Sequence, residues 1–257
     1  MSIIVIKYGG SLLEEPRHRA AFLKDVAALF KKQDIILVHG GGKEISRQME
    51  QAGLQPKFVN GRRYTDEATM MVVKKALSHL NNEIIAELGK LGVPAIGRSG
   101  QEDHLMEADV IQELGRVGIP KKVNPVALEM VLKKKAMPVF YSVAEDSHHQ
   151  SLNINADDFA LELAVACQAR HLVFLTDVGA ILNSEAAPFN IIWPEAVEEA
   201  IRDNVIKGGM IIKARACVDA MKRGVHQVSI LKSLQFLLEN KIVPEDGTSF
   251  MHQPPQS

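Results

Sequence analysis

Short apolar runs alternate with longer amphipathic stretches along most of the chain. Six apolar runs have the length of buried strands: "SIIVIKY", "DIILVH", "VPAIG", "MPVFYSV", "HLVFLTDV" and "VHQVSIL". Helical spacing of apolar residues marks the stretches between them, such as "PRHRAAFLKDVAALFKK" and "NADDFALELAVACQA". The alternation predicts an α/β fold with a mainly parallel sheet that is covered by helices on both faces. The stretch 101–124 interrupts this rhythm and predicts a hairpin.

Three unusual loops follow predicted strands: "KYGGS", "HGGGK" and "LTDVGA". Ligands of open α/β sheets bind at the carboxyl ends of the strands, so these loops are expected to face one crevice. A junction of strand, glycines and helix presents unpaired backbone N–H groups, which suit an anion. The alternative for a single glycine pair is a tight turn. The presence of both Gly9-Gly10 and Gly40-Gly41-Gly42 favours the anion site.

Two lysines occupy positions that are unusual for a cation. Lys7 ends the first predicted strand, and Lys213 lies near the start of a predicted helix, where the helix dipole disfavours positive charge. Each could simply extend into water. If both reach the crevice, they suit a phosphoryl group in transfer, where catalysis consists mainly of positioning and charge stabilisation.

The remaining composition excludes several classes of protein. The chain of 257 residues carries 30 Lys and Arg against 31 Asp and Glu, which gives no support for binding nucleic acid or a membrane surface. Cys167 and Cys217 are expected to be free thiols, and the protein is expected to be soluble and cytoplasmic. No P-loop, dinucleotide fingerprint or protein-kinase signature occurs. No Cys or His pair has zinc-site spacing, and His148 and His149 are expected to be solvated.

Six sequence blocks, taken together, resemble the amino acid kinase family. They run in the family's order from Ile3 to about Leu231: "IKYGGSLL", "VHGGGKEI", "VNGRRYTDEATM", "LNINADDFA", "LTDVGAIL" and "KGGMIIKARACVDA". The resemblance implies a three-layer αβα sandwich around a mainly parallel sheet, as one domain over 1–257. It further implies an N-lobe over about 1–168 for the acyl substrate and dimerisation, and a C-lobe over about 169–257 for the nucleotide.

Within this family, "LNINAD" and "NGRRYT" resemble the branch that acts on N-acetyl-L-glutamate. The resemblance implies that ATP phosphorylates the γ-carboxylate to give N-acetyl-L-glutamyl 5-phosphate, the second step of arginine biosynthesis. Mg²⁺ would be held through the nucleotide phosphates, with no metal-ligating residue. Two alternatives stay open: a kinase for a related acid of the aminoadipate type, and a non-catalytic paralogue that binds a metabolite.

The resemblance also implies roles for individual residues. The catalytic group would be Lys7, Gly10, Asp157 and Lys213, with Asp157 holding the two lysines. The substrate would be bound by Gly41, Gly42, Arg63 and Asn153, with Arg62 as the alternative to Arg63 for the α-carboxylate. The nucleotide would be bound by Asp177, Val178, Gly179, Ala180, Ile181, Leu182, Val205, Ile206 and Lys207.

Two loops depart from the family pattern. "RSGQEDHL" (98–105) carries Asp103 and His104 in place of small residues, and "SVAEDSHHQS" (142–151) lacks the expected glycines. Both are expected near the substrate side. The first strand begins at about Ile3, without the N-terminal helix of the arginine-inhibited hexameric members, which predicts a homodimer that is insensitive to arginine.

Overall fold

Eight strands form the central sheet of the protein. The computed structural model describes residues 3–252, except 10–12, 14, 184, 186 and 242. Across the sheet the strands lie in this order: Ile191–Ile192 (β12), Thr248–Phe250 (β14), Gln227–Leu231 (β13), His171–Leu175 (β11), Ile3–Tyr8 (β1), Asp34–His39 (β2), Met137–Tyr141 (β8) and Ala95–Arg98 (β5). All neighbours pair in parallel except β13 and β14. The predicted α/β class with a mainly parallel sheet is therefore confirmed.

Helices cover both faces of this sheet. They are Pro16–Phe30 (α1), Gly42–Gln51 (α2), Glu67–Lys90 (α3), Pro125–Leu132 (α4), Ala156–Ala166 (α5), Val197–Arg202 (α6), Gly209–Lys222 (α7) and Gln235–Leu238 (α8). Successive side chains of a strand point to opposite faces. In β1, Ile3 and Val5 pack in one cluster with α5 and α7, whereas Ile4 and Ile6 pack in a second cluster with α1 and α3. Burial on both faces explains why residues 3–6 of β1 are apolar without a break.

The stretch that interrupts the rhythm does form a hairpin. Met106–Val110 (β6) pairs antiparallel with Val117–Val123 (β7), as predicted. This hairpin joins Val143–Glu145 (β9) and Ser151–Ile154 (β10) in a small closed barrel beside the main sheet. The single strand expected over 137–143 was wrong, because the chain leaves the main sheet after Tyr141 and enters the barrel as β9.

The shortest strands were not predicted from the sequence. Phe58–Val59 (β3) and Arg62–Arg63 (β4) are strands of two residues each that pair as a hairpin. The short strands β12 and β14 extend the central sheet at one edge. Strands of two or three residues contain too few positions for a period to be read. The strand expected over 171–178 ends at Leu175, and "TDV" belongs to the loop that follows.

Cys167 and Cys217 are both free, as expected, and Cys217 is buried. Over the described residues, no helix is both long and apolar enough to cross a lipid bilayer.

Candidate active site

Two lysines and one aspartate meet beyond the carboxyl ends of the central strands. Lys7 Nζ lies 2.9 Å from Asp157 Oδ1, and Lys213 Nζ lies 2.8 Å from Asp157 Oδ2. Lys7 comes from β1, Asp157 from the first turn of α5 and Lys213 from α7. The ammonium group of Lys213 also lies 5.4 Å from the ring centre of Phe174. The structure thus brings together three of the four residues expected to be catalytic; Gly10, the fourth, lies outside the described residues.

Local sequence explains how these side chains are held. Asn155 caps α5, because its Oδ1 accepts hydrogen bonds from the backbone N–H groups of Asp157 at 2.8 Å and Asp158 at 3.4 Å. Gly9 allows Lys7 to fold back over the chain: a Cβ at position 9 would lie 2.7 Å from Lys7 Nζ. The glycine after the strand therefore makes room for the lysine, and the cap orients the aspartate.

Two opposing effects act on the Asp157 carboxyl. Burial alone would raise its pKa, but the adjacent ammonium groups of Lys7 and Lys213 outweigh burial and hold the pKa below its ordinary value. The carboxylate is therefore ionised at neutral pH. Because both oxygens face a cation, it is suited to orienting the lysines rather than to accepting a proton.

The triple-glycine loop connects β2 to α2 beside these residues. A Cβ on Gly41 would lie 2.8 Å from Leu77 Cδ2, so the absence of a side chain lets α2 begin close against α3. Gly42 is exposed, with space where its Cβ would be. The helix start therefore offers accessible backbone to a ligand.

A buried histidine holds this loop in place. His39 Nδ1 lies 2.8 Å from the carbonyl oxygen of Gly40, and its Nε2 lies 2.9 Å from Asn81 Nδ2. Asn81 also donates to the carbonyl of Val139 at 3.0 Å. Burial lowers the pKa of His39 to about 4, so the ring is neutral at pH 7, donates from Nδ1 to Gly40 and accepts at Nε2 from Asn81.

Two adjoining clefts open at this site, each with a volume of about 240 Å³. The first is lined by Lys7, the three glycines 40–42, Arg63 and Asn153, among others. The second is lined by Lys213 and Phe174, among others. Asp157 borders both clefts. Its two oxygens therefore place one lysine toward each cleft.

The hairpin β3–β4 carries two arginines in succession. Its turn residues, Asn60 and Gly61, both have positive φ, 50° and 77°, as a type I′ turn requires. Neighbouring strand residues point in opposite directions, which separates the two side chains. Arg62 forms an ion pair with Asp158 at 2.7 Å and is partly buried. Asp158 also lies in the first turn of α5, so its carboxylate interacts with both the helix N-terminus and Arg62.

Arg63 turns into the first cleft. It is 7% exposed, and its Nη2 donates to the Gly42 carbonyl at 2.7 Å and to Ser46 Oγ at 2.8 Å. The guanidinium also lies 4.6 Å from the Phe58 ring centre. Burial lowers its pKa from the ordinary value. Within the described part of the chain no carboxylate lies within ion-pair distance of Arg63, so its charge is available to an anionic ligand.

Asn153 lies on the other wall of the same cleft. Its Nδ2 donates to Thr65 Oγ1 at 3.1 Å, and Thr65 Oγ1 donates to the Arg63 carbonyl at 2.9 Å. This chain of hydrogen bonds connects β10 to the arginine hairpin. The substrate residues expected from the sequence, Gly41, Gly42, Arg63 and Asn153, all line the first cleft.

The residues expected to bind nucleotide lie away from the walls of both clefts. Asp177–Leu182 follow β11, the strand next to β1, and Ile181 N–H donates to Thr248 Oγ1 at 2.8 Å. Val205–Lys207 precede α7, where Ile206 is buried and Lys207 is exposed. Both segments are near chain neighbours of Phe174 and Lys213, which line the second cleft.

Sequence reasoning missed the supporting residues. His39, Asn81, Asn155 and Thr65 hold the loop, the helix start and the arginine hairpin. Two local signals were available: "NG" at 60–61 predicts a tight hairpin, and Asn155 before two acidic residues predicts a helix cap. Nothing local connects His39 to Asn81, which are 42 residues apart.

Comparison with known proteins places the chain among relatives. The model of the amino acid kinase family matches residues 2–232. An acetylglutamate kinase of Endomicrobium trichonymphae is 37% identical over 90% of this chain and 94% of that protein. One of Campylobacter jejuni is 39% identical over 89% of this chain and 83% of that protein. A solved structure from Streptococcus mutans UA159 superposes with a TM-score of 0.79 at 28% identity, covering 98% and 99% of the two chains.

The buried neutral state of His39 predicts a dependence of stability on pH. With a pKa of about 4 in the folded state and about 6.5 when exposed, the unfolded chain takes up the proton first, so stability is lost as pH falls from about 6.5 to about 4. The loss from this group is ~3 kcal/mol at most. The free energy of unfolding in urea should be measured between pH 7.5 and 4.5 for wild type and His39→Gln. It should change less steeply with pH in the variant than in wild type. His79→Gln, at an exposed histidine, should keep the wild-type slope; equal slopes in all three would refute the assignment.

Proposed function

Since the chain belongs to the amino acid kinase family, as its sequence blocks predict, we propose that it phosphorylates N-acetyl-L-glutamate. The γ-phosphoryl group of ATP passes to the γ-carboxylate, giving ADP and N-acetyl-L-glutamyl 5-phosphate for arginine biosynthesis. Relatives that are 37% and 39% identical and carry the name acetylglutamate kinase support this activity. The observation that carries the proposal is the position of Asp157 between Lys7 and Lys213, at the border of two clefts.

The two lysines suit the charge that develops during phosphoryl transfer. Negative charge spreads over the equatorial oxygens in the transition state, and fixed cations stabilise it with little reorganisation. Lys7 serves the phosphoryl group from the substrate side, and Lys213 serves it from the nucleotide side. Asp157 keeps the two ammonium groups, which repel each other, at fixed positions. Gly10 completes the proposed catalytic group.

This chemistry needs no general base. The nucleophile is a carboxylate whose ordinary pKa of about 4 leaves it ionised at pH 7. Asp157 and Asp158 are the acids that line the two clefts in the described part of the chain, and both are engaged by cations. The site is therefore arranged for positioning and charge stabilisation.

The first cleft suits an acylated amino acid with two carboxylates. Arg63 is buried without an acidic partner in the described chain, and its planar fork can bind the α-carboxylate bidentately. Asn153 offers an amide to the same substrate, and Gly41 and Gly42 offer backbone at the start of α2. The γ-carboxylate would then extend toward Lys7.

The nucleotide would lie on the C-lobe, about 169–257, and the acyl substrate on the N-lobe, about 1–168. Asp177–Leu182 and Val205–Lys207 would bind ATP. Because the acids lining the clefts are already paired with cations, the donor set suits Mg²⁺ held through the ATP phosphates, where it would neutralise phosphate charge. We further propose that the protein is a cytoplasmic homodimer.

The choice of substrate can be tested by trapping the acyl phosphate with hydroxylamine. With ATP and Mg²⁺, hydroxamate should form from N-acetylglutamate and not from glutamate, aspartate or N-acetylaspartate, because the proposed site requires both carboxylates and the acyl group at the matching spacing. Turnover of an aminoadipate-type acid instead would assign a related kinase. ATP binding without turnover of any acid would favour a metabolite-binding paralogue.

Removal of either lysine should lower kcat far more than it raises KM. Lys7→Ala and Lys213→Ala each remove a cation whose interaction strengthens in the transition state, so kcat should fall roughly 100-fold or more. Steady-state kinetics with Lys75→Ala, at an exposed lysine of α3, provides the control. A kcat within a few-fold of wild type in either variant would remove that lysine from the mechanism.

Arg63 and Arg62 should differ in their effect on substrate binding. Arg63→Ala should raise KM for N-acetylglutamate about 10- to 100-fold, since a hydrogen bond to a charged group contributes ~1.5–3 kcal/mol. Arg62→Ala removes a side chain that already pairs with Asp158 and should change this KM less. Both variants need thermal melts beside the kinetics. The reverse order of KM values would assign the substrate carboxylate to Arg62.

A further inference from the structure

Two histidines and a glutamate converge outside the two clefts. His104 Nδ1 lies 2.6 Å from Glu145 Oε1, and His149 Nδ1 lies 3.0 Å from the same oxygen. The imidazole centres are 4.6 Å apart. One ligand atom from each residue lies within 4.8 Å of the other two. We propose that His104, Glu145 and His149 form a binding site for a divalent transition-metal ion, best suited to Zn²⁺.

The charge of Glu145 supports a cation at this place. The residue is 6% exposed, and a buried carboxylate is costly without compensation. Among the described residues, no lysine or arginine lies within ion-pair distance of Glu145, whose partners are the two imidazoles. Both imidazoles are exposed at the surface and can be reached by an ion from solvent. A bound divalent cation would compensate the carboxylate directly.

The ligand set selects among metals. Two imidazoles and one carboxylate form a set found in zinc enzymes, with water in the fourth position. Imidazole favours Zn²⁺, Cu²⁺ and Ni²⁺ over Mg²⁺ and Ca²⁺, which prefer oxygen ligands. Ligands at about 2.0–2.1 Å in a tetrahedron lie ~3.4 Å from each other. The exposed rings of His104 and His149 would need to move apart from Glu145 by less than about 1 Å to admit the ion.

The turn that carries His149 is braced by hydrogen bonds. Asp146 Oδ1 accepts from the backbone N–H groups of His148 at 2.8 Å and Gln150 at 2.9 Å. Asp146 N–H donates in turn to the Gln150 carbonyl at 3.0 Å. His149 sits in this turn with a φ of 61°, an uncommon conformation for a residue other than glycine. The side chain is thereby aimed back at Glu145.

The loop 101–104, which carries His104, is connected to the same turn. His104 ends a short 3₁₀ turn and has a φ of 50°. Ser151 Oγ, at the start of β10, donates to Gln101 Oε1 at 3.0 Å. β6, which follows His104, pairs with β9 through Glu107 and Glu145. The three ligands are therefore carried by segments that are already held side by side.

A metal ion here would act as a structural clamp. It would fasten the loop 101–104 to the turn between β9 and β10, and β10 carries Asn153 at the first cleft. These are the two loops in which the sequence departs from the family pattern, with histidines among the departures. The clamp would thus be particular to chains with these loops, and the kinase chemistry does not depend on it.

The test uses the full-length, untagged chain and Co²⁺ as a spectroscopic substitute for Zn²⁺. Metal-free protein should bind one equivalent of Co²⁺ with the intense visible absorption of a four-coordinate site, and Zn²⁺ should displace it. His104→Ala and His149→Ala should lose this absorption and bind Zn²⁺ at least roughly 100-fold more weakly, since loss of a group that only supports a ligand already costs ~10–100-fold. His148→Ala, at the neighbouring exposed histidine, should match wild type.

Thermal melts supply an independent readout. Stoichiometric Zn²⁺ should raise the melting temperature of wild type and His148→Ala, because a ligand that binds only the folded state stabilises it. It should leave His104→Ala and His149→Ala unchanged. Wild type that binds neither ion stoichiometrically, or variants at 104 and 149 that bind as tightly as wild type, would overturn the site. Equal loss in His148→Ala would also overturn it.

Discussion

The carboxylate of Asp157 holds two ammonium groups that would otherwise repel each other. Like charges repel more strongly at a protein surface than in bulk water, because the effective dielectric constant is lower there. Lys7 stands on the central strand β1 and Lys213 on α7, and each meets a different oxygen of the same side chain. The cap at Asn155 fixes where α5 begins and thereby where this carboxylate lies. The geometry of both clefts depends on this pairing.

The two neighbouring arginines, Arg62 and Arg63, have different electrostatic surroundings. Arg62 and Arg63 are adjacent in sequence but point to opposite sides of a short strand. One pairs with Asp158, whereas the other is buried against Gly42 and Ser46 with no acid beside it in the described chain. A cation held in this way costs stability through its desolvation, and it gains a partner when an anionic substrate binds. The first cleft is therefore electrostatically incomplete without a ligand.

The barrel of β6, β7, β9 and β10 positions residues of two separate sites. It carries Asn153 toward the first cleft and, at its other loops, brings His104 and His149 to Glu145. His104 and His149 are 45 residues apart, and neither has a Cys or His neighbour at metal-site spacing. The adjacent pair His148-His149 was expected to be solvated, and both residues are exposed; His149 in addition lies 3.0 Å from Glu145. Only the pairing of β9 with β6 and β10 makes this cluster.

The layered α/β fold, the strand that carries Lys7, the glycine loops and the family could all be predicted from the sequence. These follow from local properties: apolar runs, helical spacing and glycines after strands are readable without knowledge of distant contacts. Three contacts became evident only in the folded chain: Arg62 pairs with Asp158, His39 and Asn81 hold the glycine loop, and two separate loops meet at Glu145. Each of these depends on residues 41 to 96 positions apart. Such contacts are set by strand order and helix packing, which no short window of sequence contains.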